Sequence, residues 1–380
     1  MKKLIITLEY PPVSGGVSVY VEQFVHSLTK DEVVVLAPVQ SGKGEMVTET
    51  ERLGYEIRRR KLFFPIFIWP RWLKMVGLVW NLVKKQKIEM VYLHHVLPVG
   101  YVAWLVGKIT KVPFVVFSHG TDLEYATRSR WKRHWLRLVI GSAVQVVFNS
   151  ENLRQRFLKF FPEWADKTTV LYPCPGINFL AGVDPQKVTA LRNQYALLGK
   201  KVILTVSRLD DGKGLTHLVR IMPQILAQEP NLVWIIIGDG PKQKYLLEEI
   251  QKQSLQNVVR YLGARPHEDL PLFYALADLF VLLTHPDEGR EEGLGLVFLE
   301  AAAAGIPAVA GRSGGVEEAV ISGQTGVVVD IYQGDTKVVK AITDLLRRPE
   351  YGRELGKRAR ERVLADFRWE NQLQNIARWR

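Results

Sequence analysis

Short, mostly apolar runs recur along the chain, at 4–8, 33–37, 90–93, 114–117 and 144–148, and longer stretches with apolar positions every three or four residues separate them. A short apolar run without polar alternation reads as a strand buried on both faces; the longer stretches read as amphipathic helices. Strand and helix in alternation predict a parallel sheet joined by right-handed crossovers. The pattern breaks at 171–179, LYPCPGINF, where two prolines and a glycine leave no strand or helix and mark an interdomain linker. It then restarts, with strands expected at 202–206, 232–237, 258–262, 279–283 and 308–310, and helices over 214–228 and 241–253.

The fold class expected is α/β: two doubly wound, Rossmann-like domains facing each other across a cleft. The first spans 1–172 and the second 173–365, and a closing helix at 366–380 is expected to pack back on the first. A chain of 380 residues is long enough for two such domains, each with its own core. With 47% hydrophobic and 24% charged residues the composition is globular, which excludes disordered and fibrous classes. The one cysteine, Cys174, has no partner for an internal disulfide, as suits a reducing compartment.

Neither apolar segment near the start reads as a membrane element. MKKLIITLEYPP is interrupted by Glu9 and two prolines before a signal-peptide core is complete. The stretch 62–83 carries Arg71, Lys74 and two prolines, too many interruptions for a bilayer span. A cytoplasmic protein, either free in the cytosol or peripheral on the inner face of the membrane, is the expectation.

Charge sharpens that picture. Residues 1–172 hold 25 Lys/Arg against 14 Asp/Glu, a balance of +11, out of +12 for the whole chain. Within them, 58–87 has nine basic residues and no acid, interleaved with Phe64, Phe67, Trp69, Trp72 and Trp80. A second patch, 128–137, has five more, with Trp131 and Trp135. Basic and aromatic residues together suit an anionic membrane surface; aromatics in a core beneath a solvated basic face are the alternative. Nucleic acid is not expected as a partner, because no recognition module is visible.

In open parallel sheets, ligands bind beyond the carboxyl ends of the strands. The segments EYPPVSGG, SHGTD, SRLDDGKG, GDGP and HPDEGREEGLG all follow expected strands. Gly293 and Gly295 allow a tight turn into a helix starting near Gly295, whose first amides have no intrahelical acceptor and form an anion site. Glu300 lies about 7.5 Å further along that helix, at 1.5 Å per residue, and Glu292 lies before its start. The two carboxylates are too far apart for one acid/base pair but suit hydroxyls at the two ends of a nucleoside diphosphate sugar. Arg208 and Lys213, with no carboxylate obviously assigned to either, would hold the diphosphate. No Asp-x-Asp pair exists in the chain, so metal-independent transfer with no cofactor is expected. Singly, each residue also fits an ordinary role: Glu300 facing solvent, Glu292 as an N-cap, Arg208 and Lys213 as surface charges, His119 as a satisfied strand-end histidine. Their shared place at the sheet edges is what joins them.

Taken in order, PPVSGG, SHGTD, SRLDDGKG, GDGP, EGLGLVFLEAAAAGIPAVAGRSGG and FRWE resemble the retaining GT-B glycosyltransferases with a Glu-x7-Glu motif, across essentially the whole chain. The likeness is nearest to the branch with bacterial phosphatidylinositol mannosyltransferases. It implies a nucleotide-sugar donor on the second domain and a glycan or lipid acceptor on the first. By motif position, Gly15 and Gly16 approach the donor phosphate and His119 the transferred sugar. Arg208, Lys213 and the amides of Gly293, Leu294, Gly295 and Leu296 hold diphosphate and sugar. Glu292 takes the sugar, Glu300 the ribose and Arg265 the nucleobase side. Attack is expected on the front face, with no protein nucleophile. Mannose from GDP-mannose is the first expectation; a UDP-sugar transferase acting on a soluble glycan, and a non-catalytic nucleotide-sugar-binding protein, remain open. DDGKG and HPDEGREE are more acidic than the family pattern, which leaves base and sugar undecided.

Overall fold

The computed structural model describes residues 1–13, 15–28, 32–39, 46–50, 54–120, 123, 127 and 129–379, with 46–50 and 379 described in backbone alone. Ser14, Thr121, Asp122 and Arg128, which belong to segments singled out above, lie outside the described residues. The chain divides into two compact units, Met1–Pro173 with Trp369–Arg380, and Cys174–Arg368.

Unit 1 contains β1 (Lys3–Ile6), β2 (Val33–Pro38), β3 (Met46–Thr50), β4 (Glu56–Arg60), β5 (Met90–Leu93), β6 (Phe114–Ser118), β7 (Gln145–Phe148) and β8 (Thr168–Val170). Its sheet order is β3-β4-β2-β1-β5-β6-β7-β8. Every neighbouring pair is parallel except β3 and β4. β1 sits centrally, with Leu4 opposite both Val34 and Val91. Successive strand residues point to opposite faces, and both faces are covered. Leu4 and Ile6 join one core with Val79 and Phe148, whereas Ile5 joins another with Phe24 and Phe117. That is why β1 shows no polar alternation.

The strand Glu56–Arg60 was not expected, because its inward position Arg59 is charged. Arg59 is buried there, donating to the Pro11 carbonyl at 2.7 Å and lying over the Tyr10 ring. β1 stops at Ile6 rather than running to residue 8, because the Thr7 hydroxyl donates to the Glu9 carbonyl at 2.6 Å and turns the chain.

Unit 2 contains β9 (Lys201–Val206), β10 (Leu232–Ile237), β11 (Val259–Tyr261), β12 (Leu279–Leu282), β13 (Ala308–Gly311) and β14 (Val327–Val329). They form a wholly parallel sheet in the order β11-β10-β9-β12-β13-β14. The helices Leu215–Leu226 and Gln243–Lys252 lie within the predicted spans. The order changes direction at β9 and β12, the place where doubly wound sheets open a crevice.

Two expectations are corrected. The segment 171–179 is not free of regular structure: a short helix, Ile177–Leu180, begins inside it and buries Phe179. The tail is not one helix. Pro349–Asp366 ends before Arg368, and a helical turn, Trp369–Gln372, and a 3-10 stretch, Leu373–Trp379, follow in unit 1. There Leu373 and Ile376 enter the core around Ile5, and the Gln372 side chain accepts from the Tyr172 amide at 2.9 Å.

Candidate functional site

In unit 2 the segments leaving β9, β12 and β13 are locked together by glycines. Gly214 has φ +67°, and an added Cβ would stand 2.0 Å from the Leu283 carbonyl oxygen. Gly314 has φ +51° and would place a Cβ 2.1 Å from the Glu292 carbonyl oxygen. These close approaches fix Lys213, which precedes Gly214, and Glu292, whose carbonyl Gly314 abuts.

Lys213 Nζ lies 2.5 Å from Glu292 Oε2, so the expectation that neither cation has an assigned carboxylate is wrong. Glu292 is held in turn by the RSGG loop: its amide donates to Ser313 Oγ at 3.1 Å, and its carbonyl accepts from the Gly315 amide at 3.0 Å. Arg208 also has a partner, with Nε 3.4 Å from Asp210 Oδ2, yet its side chain stays 65% exposed. The acidic DDGKG segment explains this second pairing, since it places an aspartate two residues from the arginine.

The helix expected near Gly295 runs Leu296–Ala303, with Gly295 as its N-cap at φ +86°. No side chain caps it and no acid lies in its first turn. An uncapped helix start with free amides and the positive end of the peptide dipoles favours an anion. Gly293 and Leu296 are half-buried, while the Leu294 side chain is in the core, so only its backbone is available to a ligand.

Glu300 faces inward, not to solvent: it is 2% exposed. Its Oε1 is 2.7 Å from His267 Nε2, and its Oε2 accepts from the Tyr274 hydroxyl at 2.9 Å. Burial, the Glu300 charge and that hydrogen bond push the Tyr274 hydroxyl well above the usual tyrosine range, so it keeps its proton and donates. Phe179 packs against His267 at 5.1 Å and against Tyr274 at 5.7 Å between ring centroids. Arg265, two residues before His267, is exposed.

In unit 1, Gly15 and Gly16 start the helix Gly16–His26, which also has no side-chain cap. His119 follows β6. Tyr20, from that helix, meets its ring edge-on at 4.9 Å. His94, which follows β5, lies with Nδ1 3.4 Å from His119 Nε2 and stacks on Phe117 at 4.3 Å. Burial first, then the neighbouring His119 and His95, hold His94 well below the usual histidine range, so it is neutral. Its Nε2 is buried without a hydrogen-bond partner among the described residues. His95 Nδ1 accepts from the Leu8 amide at 3.4 Å.

The structure thus brings Lys213, Glu292 and the Leu296–Ala303 helix start together in unit 2, while Arg208 turns to Asp210 and Glu300 to His267 and Tyr274; in unit 1, Gly15 and Gly16 open a helix and His119 follows β6, where it meets Tyr20 of that helix. Sequence reasoning missed His94, His95, His267, Tyr274 and Ser313. LHHV after β5 and RPHED after β11 were the available signals, since both sit at the same strand ends as the recognised segments.

The basic and aromatic segment of unit 1 divides in two. Phe67 and Trp69 are 81% and 86% exposed, and Ile66, Trp80 and Trp131 are also on the surface. Trp72 and Trp135 pack instead against Tyr101. Among the described residues, no helix is long and apolar enough to cross a membrane.

Comparison with known proteins agrees with this architecture. Residues 188–362 match the model for glycosyl transferases group 1, and residues 14–174 match that for glycosyltransferase family 4. A GDP-mannose-dependent alpha-(1-6)-phosphatidylinositol monomannoside mannosyltransferase of Mycolicibacterium smegmatis is 30% identical over 96% of this chain and 94% of its own length. A Corynebacterium glutamicum enzyme acting on the monoacylated form is 27% identical, over 97% and 95% respectively. Anabaena HepE, solved in complex with UDP and glucose, superposes with a TM-score of 0.82 at 23% identity, covering 100% of this chain and 98% of its own. With both halves matched and a relative this similar over nearly its full length, the chain belongs to the GT-B glycosyltransferases, carrying the family 4 and group 1 domains in order.

Proposed function

We propose that this protein is a retaining, metal-independent hexosyltransferase that carries mannose from GDP-mannose to a lipid-linked glycan acceptor at an anionic membrane surface. The observation that carries the proposal is the uncapped start of Leu296–Ala303 in the unit that holds Lys213 against Glu292. Without ligand, the lysine and glutamate satisfy each other. A donor separates them, Lys213 turning to the diphosphate and Glu292 to sugar hydroxyls. The bond from the anomeric carbon to the phosphate oxygen breaks, and a bond to the acceptor oxygen forms on the same face. The acceptor proton passes to the departing phosphate oxygen, and Arg208, Lys213 and the helix amides stabilise the charge that develops there. Arg265 stands by the base, and Gly15, Gly16 and His119 by the phosphate and the sugar.

Mannose and GDP are supported by the donor named for the mycobacterial and corynebacterial relatives. The membrane is supported by the basic balance of residues 1–172 and by Ile66, Phe67 and Trp69 on the surface beside Arg71.

The test is release of nucleoside diphosphate from GDP-mannose and from UDP-glucose, with EDTA present, with and without anionic liposomes carrying the acceptor. GDP release that persists in EDTA and rises with liposomes, giving a product of unchanged anomeric configuration, supports the proposal. Turnover of UDP-glucose alone overturns the donor. Nucleotide binding without turnover of either donor makes this a binding protein.

A further inference from the structure

We infer that His267 and Tyr274 are positioning residues that aim the Glu300 carboxylate at the ribose diol of the donor nucleotide. The inference rests on Glu300 being the ribose-binding carboxylate and deepens that assignment.

An ionised carboxylate has about four lone-pair positions, two on each oxygen. In the structure each oxygen of Glu300 already uses one, Oε1 toward His267 Nε2 at 2.7 Å and Oε2 toward the Tyr274 hydroxyl at 2.9 Å. One position remains on each oxygen, which is the number a cis-diol needs to donate to both. Glu300 is 2% exposed, so it has little freedom to search for a ligand, and its orientation must be set beforehand. A buried carboxylate with too few donors is costly, and His267 and Tyr274 supply the two that hold this one in place.

The supports are themselves anchored. His267 opens the 3-10 turn His267–Asp269, Tyr274 lies in the following helix Leu270–Leu276, and Phe179 packs on both rings. The Tyr274 hydroxyl also lies 3.3 Å from the carbonyl of Val297, in the first turn of the helix that bears Glu300. The single hydroxyl proton goes to the nearer Glu300 oxygen, and the tyrosine oxygen packs close to the first turn of the same helix. His267 is the exposed member, at 25% of its side chain.

The experiment titrates the full chain with GDP and with 2′,3′-dideoxy-GDP, and with the matching UDP pair, by calorimetry. Wild type is expected to prefer the ribonucleotide by tenfold or more. His267→Ala should lose that preference by weakening ribonucleotide binding while leaving the dideoxy form unchanged, and Tyr274→Phe should do the same. His267→Gln, which keeps an N–H donor at similar reach, should restore much of it. If His267→Ala and Tyr274→Phe weaken both members of a pair equally, or neither, the positioning role is wrong. A wild type that binds both forms alike instead sinks the ribose assignment of Glu300. Melting curves identify a variant that has lost its fold, and the remaining variant then decides.

Discussion

Lys213 and Glu292, 79 residues apart in sequence, meet at 2.5 Å between the segment that leaves β9 and the segment that leads into the Leu296–Ala303 helix. Both side chains are partly exposed, and such pairs contribute about 0–1 kcal/mol to stability. Lys213→Ala and Glu292→Gln should therefore melt within a few degrees of wild type. Turnover should nevertheless fall about 10²–10³-fold in Lys213→Ala, the loss seen when a group that stabilises developing charge is removed, and should fall in Glu292→Gln as the hold on the sugar hydroxyls weakens. Nucleoside diphosphate release against calorimetric melting measures both, and unchanged turnover in either variant refutes the assignment.

Gly314→Ala is expected to disturb the same place through the backbone. Its φ of +51° disfavours a side chain, and the new Cβ would press on the Glu292 carbonyl oxygen at 2.1 Å. The cost should reach about 1–3 kcal/mol, and the displaced Glu292 should raise the donor KM. Thermal denaturation with donor-saturation kinetics checks it; Gly77→Ala, outside the candidate site and with nothing within 4 Å of an added Cβ, serves as the comparison for strain.

Acid should weaken unit 1 through His94. Its folded pKa is depressed by burial, first, and by His119 and His95, so the folded state refuses a proton that the unfolded chain accepts. That contribution is complete above the unfolded pKa of about 6.5 and is lost as pH falls toward the folded value, at up to about 1.4 kcal/mol per pH unit. His217, lowered by burial and Arg220, acts in the same direction in unit 2. Denaturant unfolding from pH 7 to pH 5 should thus flatten in His94→Gln relative to wild type. Equal slopes would show that His94 titrates normally.

The exposed Phe67 and Trp69 should anchor the protein to lipid. Each large apolar side chain moved out of water is worth about 1.5–3 kcal/mol, so Phe67→Ser with Trp69→Ser should weaken sedimentation with anionic liposomes by at least tenfold. Melting should not change, because neither residue is in a core. Retention of full liposome binding would remove these two residues from the membrane reading.

Much of the fold could be read because a parallel strand covered on both faces has to be apolar throughout. Leu4, Ile5 and Ile6 serve opposite cores in turn, so the run is unbroken and visible. Strand Glu56–Arg60 was hidden by the same logic, since Arg59 replaces an apolar inward residue with a guanidinium whose partner, the Pro11 carbonyl, is 48 residues away. The candidate site was readable as positions: glycines, cations and carboxylates fell at strand ends, and the helix start at Gly295 was found. Its pairings were not. SRLDDGKG offers Arg208 its own aspartate two residues on, but nothing in it indicates that Lys213 meets Glu292, which loop closure in three dimensions decides. His267 and Tyr274 escaped notice for a related reason: a histidine and a tyrosine seven residues apart signify nothing until Glu300 is brought between them.

Leu373 and Ile376 complete the core built on Ile5, although β1 and the tail stand at opposite ends of the sequence. Unit 2 is consequently a continuous cassette, Cys174–Arg368, which a ribosome can finish and fold as one piece. Unit 1 is a split body that has to wait for the last dozen residues. A ribosome stalled anywhere between the two segments would hold a second sheet ready to form while the first still lacked its closing wedge, and a fragment ending at Pro173 should recover its missing packing only when the tail is added back as a peptide.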